Sequence, residues 1–336
     1  MPIAAPLSAV LPFHPLLLLL AALALEPVLG EARGVLARLP HPVRGVGAVV
    51  AALDRKLNRE ERRATDRRLR GVLLVVFVAG LAGGVGIAVS VLARLVPYGW
   101  VGELVVVITL LAQRSLFRHV LNVVRALQRG GVEAGRAQVA LIVGRDVRRL
   151  DAHGVARAAI ESCAENFSDA VVAPTFWFVL FGLPGMLVYK AVNTMDSMVG
   201  YRSERYRAFG WAAARLDDAL NLVPARLAGV MLGAAAIAVP RASVIKGVRV
   251  MLRDARKHRS PNSGFPEAAM AGALGLSLAG PRCYPGLVVD DPWIGDGTAR
   301  ATAQDVGRAL ALFAVACVLN GAAVAAIAAA CFVWSA

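Results

Sequence analysis

Charge is scarce in this chain, and acidic charge most of all. Its 336 residues hold 23 Asp and Glu against 37 Lys and Arg, a formal net charge of +14. Charged residues make up 18% of the sequence, where soluble domains carry about 25%. Residues 1–25, Gly71–Ala93 and everything from Ala309 onward carry none. A charge-free run of more than about 18 residues suits a membrane helix, which excludes an ordinary soluble protein. With 57% apolar residues, the chain is not disordered either, because disorder needs low hydrophobicity. Cysteines number four (Cys163, Cys283, Cys317, Cys331), with no CxxC and two of them in the C-terminal apolar run. A disulfide framework or zinc site is therefore not expected. The five histidines are scattered without an HExxH. Aromatics are few and not interleaved with the basic segments, so no nucleic acid partner is expected. Nucleotide signatures are missing too: there is no GxxxxGK followed by Ser or Thr, and no GxGxxG after a predicted strand. No Lys or Arg precedes Arg33, so the first apolar stretch reads as a retained span, not a cleaved signal with a basic start.

What the chain does have is basic segments between apolar runs. Arg55–Arg70 holds eight Lys and Arg against three acids, and Arg241–Arg259 is similarly basic. Basic flanks near spans stay in the cytoplasm. The expected fold is an all-α integral membrane protein, a polytopic helical bundle with large basic cytoplasmic loops. It is read as a single membrane domain over 1–336, with spans at about 7–25, 71–93, 98–113 and 309–334. Cytoplasmic loops are expected at about 31–70, 114–169, 190–226 and 241–267. Residues 170–189 are interrupted by Pro and Gly, and 227–240 and 268–281 are too short for ordinary spans. All three are expected to be re-entrant, interfacial or buried, since irregular backbone at membrane depth must be covered by protein or line a cavity. The expected place is the cell (inner) membrane, with the active loops facing the cytoplasm.

Polar chemistry concentrates between Gly144 and Arg226. Asp151 is placed to cap a helix from about Ala152 to Asn166. Glu161 and Glu165, four apart, share one face of it. Two such carboxylates could hold a hard cation, or could form a solvated face paired with Arg157. Ser168 and Asp169 follow. Asp196 lies in largely uncharged sequence after an apolar run, and an acid at membrane depth is costly unless paired. It is a functional candidate, with a structural Asp–Arg pair as the alternative. Lys190, Arg202 and Arg205 could clamp phosphates. Of Asp217 and Asp218, adjacent helical residues about 100° apart, one faces a site. Lys257 to Glu267 forms a Ser/Pro/Asn/Gly turn whose N–H groups could meet an anion, or which simply connects.

These same residues carry a resemblance. The run AAIESCAENFSDAVVAPTFW, followed by FGLPGMLVYKAVNTMDSMVGYRSERYRAFGWAAARLDDALNLVPARL, closely resembles the CobD/CbiB family of cobalamin biosynthesis. PHPVR at Pro40–Arg44, VGRD at Val143–Asp146 and SPNSGFPEAAMAGAL at Ser260–Leu274 match as well, in order over about residues 15–320. The chain departs from the family at LEPVLGEA (Leu25–Ala32), where an acidic element is usual, and at Ser263, where alanine is usual.

The resemblance implies an adenosylcobinamide-phosphate synthase, a carbon–nitrogen ligase. It would join adenosylcobyric acid to aminopropanol phosphate, or to a similar amino-alcohol phosphate, with ATP and Mg²⁺. Under that reading Glu165, Asp196 and Asp217 hold the metal, and Lys190, Arg202 and Arg205 hold phosphates. Asn166, Asn193 and Asn262 orient amides or phosphate oxygens. Asp169 or Asp218 accepts the amine proton. The lipid bilayer is the expected surrounding, with room for a homo-oligomer or for partners from the corrinoid pathway. A membrane transporter of a corrinoid or anionic small molecule is the alternative, because broken apolar segments with buried acids also describe a carrier.

Overall fold

A computed structural model describes residues 14–30, 42–144, 146–284, 287–289 and 291–335. Residues 7–13 of the first expected span, 31–41 of the first expected loop, and Pro40 and His41 of PHPVR lie outside them. Among the described residues the chain is helical almost throughout. In order come α1 (Pro15–Leu29), α2 (Pro42–Leu57), α3 (Ala64–Leu95), α4 (Gly99–Leu110), α5 (Gln113–Val139) and α6 (Ala152–Phe167). Then follow α7 (Ala173–Val199), α8 (Trp211–Leu220), α9 (Leu222–Ala235), α10 (Val244–Asp254), α11 (Gly264–Leu274) and α12 (Ala303–Ser335).

Among the described residues, four helical stretches are long and apolar enough to cross a membrane: Ala64–Leu95, Gly99–Val139, Ala152–Val199 and Ala303–Trp334. The protein is an all-α polytopic membrane protein. The reason is plainest in α3. Its 32 residues extend about 48 Å, more than the roughly 30 Å hydrocarbon core. Leu73, Val76, Phe77, Leu81, Val85, Val91 and Leu92 are all exposed along it. Water would penalise that stripe, and lipid tails do not.

The chain forms two compact units. The first comprises α1–α4, α7, α8 and α12 from Gly321 onward. Leu19, Val50, Leu74, Val107, Met186, Val192, Met195 and Phe209 lie in its core. Within it α7 kinks at Gly182, whose φ is 64°, just ahead of Pro184, which has no N–H to continue the ladder. Close approach of α3 to that kink needs a glycine. A Cβ on Gly86 would stand 2.5 Å from Pro184 Cα, whereas one on Gly84 would meet nothing within 4 Å. Gly86→Ala should therefore cost about 1–3 kcal/mol and lower the thermal midpoint in detergent, while Gly84→Ala leaves it unchanged. Equal midpoints would contradict the packing.

The second unit comprises α5, α6, α9–α11 and α12 up to Asn320. Its core includes Val123, Val155, Ile160, Phe167, Leu232, Met270 and Phe313. Phe167 and Phe313 meet edge to face at 5.8 Å. Every residue of α11 but Phe265 is buried, as befits a core helix apolar on all sides. After α6 the chain makes one π turn, Ser168–Val172, a wider turn that recurs at functional sites. Short antiparallel pairs follow α11: β1 (Leu278–Ala279) with β4 (Trp293–Ile294), and β2 (Arg282–Tyr284) with β3 (Leu287–Val289).

Candidate functional site

The second unit gathers three titratable side chains. Asp151 Oδ1 accepts from Gly154 N at 2.6 Å, capping α6 as its spacing predicts. One face of α6 then presents Glu161 and Glu165 one turn apart, with different fates. Glu161 is buried and accepts the Ala279 N–H at 2.8 Å, so it holds β1. The guanidinium of Arg157, one turn earlier on α6, donates to the Ala299 carbonyl. Glu165 stays partly open, with Oε1 4.0 Å from His258 Nε2. From the first turn of α11, the fully buried Glu267 brings Oε1 to 3.5 Å from the same Nε2. Ligand atoms of Glu165, His258 and Glu267 all lie within 4.8 Å of one another, the spacing of a metal-binding group.

The turn after α10 aims the histidine. His258 Nδ1 accepts the Ser260 N–H at 3.0 Å, which fixes the ring and turns Nε2 toward the carboxylates. Ser260 Oγ accepts the N–H groups of Asn262 and Ser263, both at 3.2 Å. These three N–H groups are thus used inside the turn, as its reading as a connecting turn expects. Buried Asn262 faces Arg226, whose Nη1 donates to its Oδ1 at 3.4 Å. The Arg226 guanidinium lies 4.2 Å over the Phe265 ring.

Buried Asp254 anchors the approach to His258. It accepts from Arg253 Nη2 at 2.7 Å and from Gly295 N at 2.9 Å, with Lys257 Nζ at 2.8 Å. These cations and the N–H hold its carboxyl well below the usual carboxylate range, the Arg253 hydrogen bond most of all. A carboxyl depressed in the folded state stabilises the fold above the ordinary carboxylate pKa of about 4. That contribution is lost as pH falls through the lower folded-state value. Asp254→Asn should melt earlier than the parent at neutral pH, and the gap should close in acid. A gap constant from pH 7 down to 3 would contradict the anchor.

The first unit holds a second acidic group. Along α7, Lys190, Asn193 and Asp196 recur every third residue, and Asn193 Nδ2 donates to Asp217 Oδ1 at 3.3 Å. The charges of Asp217 and Asp218 both bear on Asp196. Arg215 approaches Asp218 at 3.4 Å, and the Arg202 charge also acts on it. The Asp196 carboxylate folds over the end of α7, leaving no space for a Cβ on Gly200.

Arg205 is committed elsewhere. Its Nη2 donates to Asp54 Oδ2 at 3.0 Å, beside the Tyr206 hydroxyl at 3.3 Å. Asn58 donates to the other Asp54 oxygen at 2.9 Å, and Arg67 Nε donates to Asn58 Oδ1 at 3.0 Å. This buried network ties α2 and α3 to the loop after α7.

Of the metal ligands chosen from sequence, then, Asp196 and Asp217 belong to the first unit and Glu165 to the second. Asn166 and Asp169 also lie in the second unit, Asp169 within the π turn. Asn166 donates to Ser162 O at 2.9 Å and borders a cavity of about 370 Å³ with Ser115, His119 and Val143. Sequence reasoning passed over His258 and Glu267. The available signal was the Ser/Pro/Asn/Gly turn itself, which folds the chain back so that its two ends meet.

Comparison with known proteins decides the family. The family description "CobD/Cbib protein" matches residues 19–313. The chain belongs to the CobD/CbiB family. A Sinorhizobium protein named "Cobalamin biosynthesis protein CobD" is 48% identical over 316 residues, covering 93% of this chain and 98% of its own. Its namesake from Rhizobium meliloti strain 1021 is 48% identical over 308 residues, 90% and 93% of the two chains. That of Rhodobacter capsulatus is 44% identical over 299 residues, 88% and 92%. No solved structure matches. The Glu165–His258–Glu267 group of this CobD/CbiB member falls inside the matched region, as do Asp196 and Asp217.

Proposed function

We propose that this protein is the amide-forming ligase of cobalamin biosynthesis, joining the free carboxylate of adenosylcobyric acid to the amine of aminopropanol phosphate or a close analogue. The family membership supplies the pathway, and the observation that carries the chemistry is the Glu165–His258–Glu267 group. A carboxylate is a poor electrophile, and ATP supplies the means of turning its oxygen into a leaving group. Mg²⁺, when bound, neutralises charge on phosphate oxygens.

The donor set suits that ion. Mg²⁺ favours carboxylate oxygens and keeps several waters, and Glu165 and Glu267 offer two carboxylates. A neutral imidazole that accepts at Nδ1 keeps its proton on Nε2, so His258 serves by hydrogen-bonding and orienting the carboxylates, as a supporting shell does. Lys190 and Arg202 are cations for phosphate, and Asn166, Asn193 and Asn262 supply amide contacts. Arg205 is left out of that set because Asp54 engages it. Asp196 with Asp217 makes a second carboxylate pair suited to a cation, and Asp169 or Asp218 accepts the proton of the attacking amine. The basic segments favour an orientation with these groups on the cytoplasmic side of the inner membrane, where ATP is available.

The test is ATP consumption by the purified protein in detergent. Turnover should require adenosylcobyric acid, the amine and Mg²⁺ together. Consumption indifferent to either organic substrate would overturn the reading. So would ATP-independent uptake of the corrinoid into vesicles with no chemical change, which would favour a carrier.

A further inference from the structure

We infer that α10 and the turn before it form a docking surface for anionic phospholipid headgroups. The inner side of α10 is buried through Gly247, Val250, Met251 and Asp254. Its outer side leaves Ile245 72% and Leu252 73% exposed, with Val248 between them. These three positions, i, i+3 and i+7, make one stripe, and Ile237, in the turn upstream of α10, is 86% exposed. Large apolar side chains are thus bare where the helix already has a packed side.

Basic residues flank the stripe. Arg241–Lys257 holds six Lys and Arg against a single acid, Asp254. That acid is buried and already bound by Arg253 and Lys257. Lys246, Arg249 and Arg256 are exposed, and among the described residues none of the three has a carboxylate partner. Exposed apolar side chains among unneutralised cations fit the plane where acyl chains meet phosphate headgroups. Each cation near an anionic leaflet adds to the attraction. Position along the chain agrees: the segment directly follows the apolar α9, whose Val223, Leu227 and Val230 are exposed as lipid-facing residues would be. The occupant is therefore the phosphate of a membrane lipid, with acyl chain beneath it.

The test uses the full chain in lipid nanodiscs, with Cys283→Ser, Cys317→Ser and Cys331→Ser as background. A bimane probe is attached at Leu252→Cys and, as control, at Arg149→Cys, exposed in the loop between α5 and α6 and outside the four membrane-crossing stretches. With phosphatidylglycerol mixed into phosphatidylcholine, a quencher borne on lipid chains should quench the Leu252 probe severalfold more than the control. Replacing Lys246, Arg249 and Arg256 together by glutamine, or using phosphatidylcholine alone, should remove at least half of that difference. Unchanged elution on gel filtration shows that the triple variant is folded. Equal quenching at both probes overturns the proposal. Strong quenching indifferent to lipid charge and to the triple variant overturns the anionic specificity. Release of the probe by inorganic phosphate, with the lipid unchanged, would reassign the face to a free phosphate ligand.

Discussion

Glu267→Gln and Glu165→Gln are each expected to lower amide formation by about 10²- to 10³-fold, the range for removing one charge-stabilising group from a catalytic centre. Both substitutions keep the side-chain shape and remove a negative charge from the group around His258 Nε2. The two differ in their side effects. Glu165 is partly exposed, so Glu165→Gln should leave the melting midpoint in place and raise the Mg²⁺ concentration needed for half-maximal rate. Glu267 is fully buried against the imidazole, so its variant should also melt earlier. His258→Asn should fall between the parent and the two glutamine variants, since the imidazole supports the carboxylates and does not itself hold the ion. Full activity in Glu165→Gln and Glu267→Gln would remove this group from the chemistry.

The second large effect is at Asp196. Asp196→Asn should retain its expression level and its elution behaviour yet lose about 10²-fold or more in turnover. The carboxylate sits within the field of Asp217 and Asp218 and is folded over Gly200. Gly200→Ala should reproduce part of the loss without touching a charge, because the added Cβ must displace the Asp196 side chain. A fully active Asp196→Asn would leave this acidic group a structural feature only.

Much of the fold was legible because charge is scarce. The empty stretches at Gly71–Ala93 and from Ala309 fall inside α3 and α12, and Asp151 caps α6 by a purely local rule. The site was legible only in part. Glu161 and Glu165 share a helix face, yet Glu161 accepts the N–H of Ala279 in β1 while Glu165 lies beside His258. Arg205 reads as a phosphate clamp until Asp54, 151 positions away, is seen to take it. His258 and Glu267 escaped for the same reason: their partner on α6 is remote in sequence. Long-range contacts of this kind leave no periodic trace in a single sequence, whereas caps, turns and charge-free runs do. The resemblance to the family rested on long contiguous motifs, which a single sequence displays directly.

The most direct test of the central claim is mass spectrometry of the corrinoids after incubating the detergent-purified protein with adenosylcobyric acid, Mg-ATP and aminopropanol phosphate. A product with the mass of the amide, absent without ATP and formed about 10²- to 10³-fold more slowly by Glu165→Gln, is the predicted result. Unchanged adenosylcobyric acid, from protein shown to be folded and offered both aminopropanol phosphate and ethanolamine phosphate, would contradict it.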